Sequence, residues 1–297
     1  MSNSQENYIV GIGEALWDML PEGRKIGGAP ANFTFHVSQF GLDAVAVSAV
    51  GDDELGAEIR QTFDEKGLDT LLATVPQPTG TVEVTLDAKG IPHYEICEGV
   101  AWDNIPFSPE LEELARNTIA VCYGTLAQRN SVSRKTIESF IAAMPAEGIK
   151  VCDINLRGTF YDKEVIESSM HACDILKIND EEIDEVCRLL GTEYPTQRMA
   201  ALSLMSRYEV DMLILTCGAE GSYIYCLDGT ESYLATPKVK VADTVGAGDS
   251  FTGAFIAALL CGKEVKKAHA LAVEVAAYVC TQNGAMPELP ESIINKL

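Results

Sequence analysis

The segment DTVGAGDSFTGAF, residues 243–255, constrains the fold more than any other part of the chain. Gly246, Ala247 and Gly248 leave room for main-chain N–H groups to approach an anion, and glycine permits the left-handed turns that point successive N–H groups inward. From Asp249 onward, apolar residues recur at helical spacing. The segment therefore predicts an anion-binding turn at the start of a buried helix, where unpaired N–H groups and the positive end of the helix dipole face outward.

Asp249 stands beside this turn, and two roles are open to its carboxylate. It could cap the helix, a contact that stabilises a helix by about 0.5–2 kcal/mol. It could also act as a general base that takes a proton from a substrate hydroxyl. In the second case, Gly246, Ala247, Gly248 and Asp249 would form the catalytic group of a phosphoryl transfer to an alcohol.

Composition places the chain among globular proteins. Its 297 residues can bury a sizeable core, and it is 47% hydrophobic and 22% charged. No apolar run reaches the roughly 18 residues of a membrane helix. The first residues, MSNSQENYIVGIG, lack the basic region and apolar core of a secretory signal, so we expect a cytoplasmic location.

The charge balance of the chain makes some classes of ligand unfavourable. The 22 basic and 44 acidic residues give a formal charge of −22, which argues against nucleic acid or an anionic membrane surface as a partner. A nucleotide-phosphate enzyme with this charge must neutralise its ligand locally, with helix N-termini, a few placed cations and a divalent metal. Most of the acidic excess is expected to be a solvated surface.

Nine cysteines are spread from Cys97 to Cys280 without a C-x-x-C pair. An odd count without paired spacing does not fit a disulfide framework or a zinc site. Many of these residues lie in apolar runs, where cysteine behaves as a small hydrophobic residue. We expect reduced, mostly buried thiols.

Strand-like and helix-like runs alternate along the chain, which predicts an α/β fold with a doubly wound, mainly parallel sheet. Two extended segments, Val82–Leu86 and His93–Cys97, break this alternation and predict a hairpin that turns at residues 87–90. A largely buried last helix is predicted at residues 264–281. The predicted strands are residues 8–13, 44–51, 119–124, 150–154, 175–178, 212–216 and 222–227, and the other predicted helices are residues 134–144, 180–190 and 196–208.

Two common nucleotide motifs are missing or weak. The Gly262-Lys263 pair lacks the earlier glycine and the Ser or Thr of a Walker loop. The segment GIGEAL at residues 11–16 follows a predicted strand, but it lacks the third glycine of a dinucleotide site. A dehydrogenase that binds NAD through this segment is therefore an alternative, and a non-catalytic sugar sensor is a second one.

Asp18 and Asn32 are candidates for substrate contact. Asp18 follows the first predicted strand, at the end where ligands bind in open α/β sheets. A carboxylate accepts two hydroxyl hydrogen bonds at once, so Asp18 and the amide of Asn32 could hold a vicinal diol of a sugar. The alternatives are a turn residue before Pro21 for Asp18 and a helix cap for Asn32.

Polar residues also alternate at the ends of two later strands. Asp153, Asn155 and Arg157 would share one face if the extended conformation continues. Arg157 could bind substrate or a neighbouring carboxylate. In the second strand, Lys177 is followed by Asn179, with Glu182 one helical turn beyond, where the helix dipole favours an acid.

Several of these segments resemble the ribokinase-like (PfkB) family of carbohydrate kinases, and they occur in the order found in that family. DTVGAGD resembles its C-terminal signature, and the resemblance extends over about residues 8–290. Some segments look most like fructokinases. The matching segments are GGAPANF at 27–33, NDEE at 179–182 and NGAMPELP at 283–290, with the fructokinase-like GEALWDMLP at 13–21, DINLR at 153–157 and KIN at 177–179.

The resemblance implies an ATP-dependent sugar kinase with one ribokinase-like α/β domain over residues 1–297 and a small, discontinuous β lid that includes about residues 79–100. It implies that Asn179 and Glu182 position Mg²⁺ through water and that a monovalent cation such as K⁺ lies near Asp243. Pairing of lids would make a homodimer. The implied sugar contacts are Asp18, Gly28, Asn32, Arg157 and Asp249, and the implied ATP contacts are Lys177, Asn179, Thr216, Gly218, Gly221, Gly248 and Asn283.

D-fructose is the substrate to which the resemblance points. Other sugars stay open, namely 2-keto-3-deoxygluconate, ribose and nucleosides. An acid sugar would require more cationic partners than Arg157, and a nucleoside would require an aromatic slot that the sequence does not reveal. For the residues of TCGAEGS, 216–222, a simple hairpin is the alternative to nucleotide contact.

Overall fold

The computed structural model describes residues 7–20, 23–86 and 92–297. Its strands form two sheets, and helices connect most of them. The strands are β1 (Tyr8–Ile12), β2 (Leu16–Leu20), β3 (Gly23–Gly27), β4 (Ala44–Gly51), β5 (Asp69–Val75), β6 (Gly80–Leu86), β7 (Pro92–Ile96), β8 (Thr118–Gly124), β9 (Ile149–Asp153), β10 (Ile175–Asn179), β11 (Met212–Cys217), β12 (Gly221–Cys226) and β13 (Glu231–Leu234). The helices are α1 (Ala29–Ser38), α2 (Glu54–Glu65), α3 (Pro109–Arg116), α4 (Ser131–Ala143), α5 (Lys163–His171), α6 (Asp180–Leu189), α7 (Gln197–Tyr208), α8 (Ala247–Leu260), α9 (Val265–Val279) and α10 (Glu291–Ile294).

The larger sheet has nine strands in the order β13-β12-β11-β10-β9-β8-β1-β4-β5. Neighbouring strands from β11 to β5 are parallel, and β12 and β13 extend the sheet in antiparallel fashion. The chain builds outward from β1 to β4 and β5, and then returns to β8 on the other side of β1. The strand order thus reverses between β1 and β8, and the carboxyl ends of such strands border the ligand crevice in open α/β sheets.

Helices cover both faces of the larger sheet. Successive side chains of its central strands point to opposite faces and pack into separate hydrophobic cores. Ile9 packs into a core with buried residues of α1, α8 and α9. Its neighbour Val10 packs into the opposite core, which includes buried residues of α3 to α7. The strands are therefore apolar on both sides, as expected of a buried parallel sheet. The predicted doubly wound fold is confirmed.

The smaller sheet has four strands in the order β3-β2-β6-β7. Its β6 and β7 form the predicted hairpin, with Val82 opposite Ile96, and the predicted turn at residues 87–90 lies outside the described residues. The strands β2 and β3 were not predicted. Asp18 lies in the middle of β2, opposite Lys25 of β3, so its interpretation as a turn residue is wrong.

The helix predicted at residues 264–281 is α9, and it is buried on one side only, since Lys266 and Lys267 are exposed. It is followed by the short α10, so it is not the last helix. All nine cysteines are free thiols, and five of them are buried, as the sequence predicts. Among the described helices, none has the length and apolar character that spanning a membrane requires.

Asp53 ties the smaller sheet to the larger one. It caps α2 by accepting the Gly56 N–H, at 2.8 Å. It also accepts the backbone N–H of Thr79, at 2.8 Å, and the Thr79 hydroxyl, at 2.6 Å, just before β6 begins. Although partial burial opposes its charge, these hydrogen bonds hold the pKa of Asp53 below its ordinary value.

We expect Asp53→Ala to lower the free energy of unfolding by about 2 kcal/mol, the sum of a lost cap and the lost bonds to Thr79. The matched control is Asp162→Ala, which removes only the cap of α5 and should cost about 1 kcal/mol. Because the pKa of Asp53 is lower in the folded than in the unfolded state, its stabilisation is present above pH 4 or so and is lost as the pH falls through the folded pKa. Denaturant unfolding measures both variants, and equal losses would contradict the role of Thr79.

Candidate active site

A small cavity opens where the strand order reverses. It lies between the starts of α1 and α8 and the carboxyl ends of β8 and β9. This is the edge at which ligands bind in open α/β sheets. Its polar and turn residues include Pro30, Gly124, Asp153, Asn155 and Asp249.

The predicted glycine turn forms the start of α8. Gly246 is the N-cap of the helix, with a left-handed φ of 77°. A Cβ at this position would lie 2.7 Å from the Cα of Ala285, so only glycine fits. The N–H groups of Gly248 and Asp249 belong to the first helical turn, where no preceding helical carbonyl can accept them. The turn can therefore present N–H groups to an anion.

Asp249 lies in the first turn of α8, three residues after the N-cap Gly246. Its Oδ2 accepts the side-chain amide N–H of Asn32, at 2.7 Å. Burial raises the pKa of Asp249 to about 6, and the nearby carboxylate of Asp153 acts in the same direction, against Asn32, Lys177 and Arg157. The cap interpretation is therefore wrong. At neutral pH the carboxylate is ionised and can accept a proton.

The start of α1 supplies the partner of Asp249. Gly28 is the N-cap, with φ 123°, and a Cβ there would lie 2.2 Å from the carbonyl oxygen of Glu14. Asn32 lies inside the helix, so the cap interpretation is wrong for this residue also. The residue is 3% exposed, and its Oδ1 has no hydrogen-bond partner among the described residues. The Asn32 amide thus donates to Asp249 and retains an acceptor for another group.

Glu14 is a second buried carboxylate at this point, and sequence reasoning missed it. Its Oε1 accepts the N–H of Ala29 at 3.3 Å, and Oε2 is buried without a partner among the described residues. Burial raises the pKa of Glu14, and the charge of Asp249 raises it further. The sequence feature that could have indicated a buried carboxylate is the single acidic residue within the apolar run GIGEALW.

The smaller sheet brings Asp18 and Lys25 to the glycine turn. The Lys25 ammonium lies 3.4 Å from Oδ2 of Asp243, which also accepts the N–H of Gly284 at 3.1 Å. Burial would raise the pKa of Asp243, but hydrogen bonds from Val245 and Gly284 and the charge of Lys25 lower it. Burial raises the pKa of Asp18, against the positive charges of Arg157 and Lys25. Asp18 and Asp243 thus share one cationic neighbour.

Arg157 does not lie where strand alternation predicts. The strand β9 ends at Asp153, and Asn155 has a left-handed φ of 43°, so the extended conformation stops and the predicted shared face is wrong. Arg157 is exposed, yet its positive charge opposes the rise in pKa that burial causes at both Asp18 and Asp249. The loop after β9 therefore still brings Arg157 to the side of the cavity that carries these carboxylates.

Lys177 and Asp153 form a buried ion pair beside the turn. The Lys177 Nζ lies 3.0 Å from the Asp153 carboxylate. A Cβ at Gly248 would lie 3.0 Å from the same Nζ. Burial opposes the charge of Lys177, but the carboxylates of Asp153, Glu182 and Asp249 outweigh it and raise its pKa. Lys177 is therefore a permanent cation next to the first turn of α8.

Asn179 and Glu182 form a capping box at the start of α6. The Asn179 Oδ1 accepts the N–H of Glu182 at 2.8 Å, and Glu182 Oε2 accepts the N–H of Asn179 at 2.9 Å. Glu182 Oε1 accepts the N–H of Leu156 at 3.0 Å. Burial raises the pKa of Glu182, against the charge of Lys177. In the described part of the chain, no group of three or more His, Cys, Asp or Glu side chains is placed to hold a metal ion.

Apart from Lys177, Asn179 and Gly248, the residues predicted to contact ATP fall into two groups. Thr216 lies at the end of β11, opposite Ser222 of β12, which confirms the predicted hairpin. Within its turn, Gly218 has φ 50°, and a Cβ at Gly221 would lie 2.5 Å from the Leu234 carbonyl. Asn283 is exposed and precedes Gly284, whose N–H bonds Asp243.

Helix α1 also fixes the segment after α9, through two residues that the sequence did not single out. His36 contacts the carbonyl oxygen of Ala285, at 2.9 Å, and the Gln39 side chain accepts the N–H of Leu289, at 2.6 Å. Burial lowers the pKa of His36 to about 4. The ring is therefore neutral at physiological pH, and its Nε2–H donates to Ala285, which packs against Gly246.

The structure removes the basis for the dinucleotide alternative. A dinucleotide-binding motif needs a strand, a glycine turn and a helix in succession. Here β1 leads through Gly13 into β2, a strand of the smaller sheet, and the first helix starts only at Ala29.

Comparison with known proteins identifies relatives over almost the whole chain. A family model described as "pfkB family carbohydrate kinase" matches residues 22–292. The ATP-dependent 6-phosphofructokinase of Thermoanaerobacterium thermosaccharolyticum is 28% identical over 95% of this chain and 91% of its own length. The fructokinase of Escherichia coli is 29% identical over 94% and 95%.

A solved structure shows the same fold. The fructokinase with bound ATP from Xylella fastidiosa superimposes with a TM-score of 0.84 at 20% sequence identity, covering 97% of each chain. The shared fold, a glycine turn at the start of a buried helix and a family match over residues 22–292 lead to one assignment. The chain belongs to the pfkB family of carbohydrate kinases, and it is a phosphotransferase with an alcohol acceptor.

Proposed function

We propose that this protein transfers the γ-phosphoryl group of ATP to a primary hydroxyl of a sugar, with D-fructose as the acceptor. The observation that carries the proposal is the first turn of α8, where a carboxylate with a pKa of about 6 stands beside a side-chain-poor turn. Phosphoryl transfer requires positioning and charge stabilisation more than covalent chemistry. Relatives named fructokinase support the choice of sugar.

Asp249 is the general base in this mechanism. Its pKa lies close to the pH at which a cytoplasmic enzyme works, which suits a group that must be ionised and still basic. The Asn32 amide fixes one carboxylate oxygen, so the other oxygen is oriented toward the acceptor. As the acceptor hydroxyl attacks the γ-phosphorus, its proton passes to Asp249.

The glycine turn stabilises the charge that develops on the phosphoryl group. The N–H groups of Gly246 and Gly248 would donate to its oxygens, and the dipole of α8 adds to their effect. The Ala247 N–H bonds the Thr244 carbonyl at 3.3 Å and would have to be released to join them. The Lys177 ammonium lies against Gly248 and supplies a full positive charge. These local positive groups offset the repulsion between the phosphates of ATP and a chain with a net charge of −22.

Mg²⁺ fits the site only through water. Each acceptor oxygen of Asn179 and Glu182 already binds a backbone N–H, and Glu182 is 7% exposed. In nucleotide enzymes Mg²⁺ usually keeps several waters and takes its other ligands from phosphates. When bound, it would neutralise phosphate charge, and Asn179 and Glu182 would orient its waters. A monovalent cation at Asp243 stays a prediction, and Lys25 already supplies a positive charge there.

The sugar would lie between the smaller sheet and α1. Asp18 and the Oδ1 of Asn32, which has no partner among the described residues, can accept hydrogen bonds from neighbouring hydroxyls, and the backbone of Gly28 at the N-cap of α1 would contact the sugar beside them. Arg157 adds an exposed cation on this side. For ATP, we propose contacts with Thr216, Gly218 and Gly221 at the turn after β11, and with Asn283 beside Gly284.

A panel of acceptors in a coupled ADP-release assay tests the function. Fructose, fructose 6-phosphate, 2-keto-3-deoxygluconate, ribose and adenosine cover the alternatives from the sequence and from the relative named 6-phosphofructokinase. We expect the highest kcat/KM with fructose. Higher values with another acceptor would revise the substrate, and no ADP release with any of them would overturn the kinase proposal.

Asp249→Asn should keep the fold and sugar binding but lower kcat by about 10²–10⁴, the usual contribution of a general base. The matched control is Asp211→Asn. Asp211 is exposed and precedes β11, at the amino-terminal end of the parallel strands and so away from the cavity. In the wild type, kcat/KM should fall as the pH drops below about 6, because protonated Asp249 cannot accept a proton. Near-normal turnover of Asp249→Asn in a steady-state assay would remove Asp249 from the mechanism.

Asp18→Ala and Asn32→Ala should both raise the KM for sugar and leave the KM for ATP similar. They should differ in kcat, because Asn32 also holds Asp249, whereas Asp18 lies on the smaller sheet. We expect a clear fall in kcat only for Asn32→Ala. An unchanged sugar KM in both variants would contradict the assignment of the diol contact.

The smaller sheet as a lid, a homodimer formed through it and a cytoplasmic location stay proposals. The free state of all nine thiols fits a reducing compartment.

A further inference from the structure

The buried ion pair between Asp153 and Lys177 invites a functional explanation. The two residues are direct neighbours on adjacent parallel strands, β9 and β10, and they are 5% and 6% exposed. The Nζ lies 3.0 Å from each carboxylate oxygen. Replacing such a pair by apolar residues of similar volume is often neutral or stabilising, because both charges lose their hydration. Stability alone is therefore a weak reason for its presence.

The pair is placed under the anion-binding turn. A Cβ at Gly248 would lie 3.0 Å from Nζ and 3.7 Å from Cε of Lys177. A lysine side chain is a flexible four-carbon stem with three donor hydrogens, and it takes up one position only when a partner holds it. Asp153 is that partner, and it directs the ammonium to the first turn of α8.

The same pair also acts on the general base. Asp153 raises the pKa of Asp249, whereas Lys177 lowers it, so the two members of the pair have opposite effects. Burial keeps the Cys122 thiol uncharged, because it raises the pKa of that group far above neutrality. The groups that face Asp249 are Asp153 on β9, Lys177 on β10, Arg157 after β9, Glu14 after β1, Cys122 on β8 and Asn32 on α1.

We propose that Asp153 is a positioning residue for phosphoryl transfer: it holds the Lys177 ammonium at the glycine turn, and it lines the same cavity as Asp249 and so places a second negative charge at the general base. This inference rests on the proposed kinase function. Asp153 itself need not touch either substrate, since it acts through Lys177 and through its charge.

A charge cycle tests the proposal through the pH dependence of kcat/KM for sugar at saturating ATP and Mg²⁺, which reports the pKa of the free enzyme's base. Asp153→Asn removes the negative charge and leaves Lys177 unbalanced, so the acid limb should move down by about 1 pH unit. Lys177→Met should move it up. The double variant Asp153→Asn/Lys177→Met removes both charges, and its acid limb should return toward that of the wild type.

The control is Asp174→Asn, the same change at the other end of β10, where the Asp174 carboxylate accepts the N–H of Lys150 at 2.7 Å. Its acid limb should stay at the wild-type pH, as it would for a merely structural change. Circular dichroism checks folding. If Asp153→Asn does not fold, Lys177→Met and the double variant still differ only in the Asp153 charge, and the limb of the double variant should lie lower.

Equal acid limbs in folded, active variants that differ in the Asp153 charge would overturn this inference and leave the kinase assignment intact. A wild-type protein that releases no ADP with any sugar would instead overturn the proposed function, so the two failures are distinguishable.

Discussion

Close packing of α1 against α8 is the constraint on which the rest of the site depends. A Cβ at Gly253 of α8 would lie 2.9 Å from the Phe33 carbonyl oxygen and 3.1 Å from the His36 Cβ, so the backbones of the two helices approach closely at this glycine. Only at this separation can the short Asn32 amide reach Asp249, at 2.7 Å. A buried carboxylate without that donor would be harder to keep ionised. The packing of α1 against α8 therefore affects the ionisation of Asp249.

Motifs that act within one element could be predicted from sequence. The turn at Gly246 and the position of Glu182 in the first turn of a helix were predicted, because both depend on neighbouring residues, and both are present in the structure. The central strands were also predictable, because a strand buried on both faces is a continuous apolar run. The bounds of these elements differed by a few residues, as is usual at element ends.

Features that depend on distant partners could not be predicted. The strands β2 and β3 are short, and the register that places Asp18 opposite Lys25 is visible only in the folded sheet. The roles of Glu14 and His36 depend on hydrogen bonds with the backbones of Ala29 and Ala285, and Ala285 is far from His36 in the chain. The alternation of Asp153 and Arg157 failed because the backbone turns at Asn155, with φ 43°, a conformation that asparagine tolerates better than most residues.

Helix α1 is a single rigid body of ten residues that serves both halves of the crevice. Asn32 lies on the acceptor side, whereas His36, one turn later, supports the segment that backs Gly246. If one ligand favours a shift of α1, that shift therefore changes the geometry of the site for the other ligand. Linkage then requires reciprocity: whatever factor nucleotide occupancy contributes to carbohydrate affinity, carbohydrate occupancy returns to nucleotide affinity.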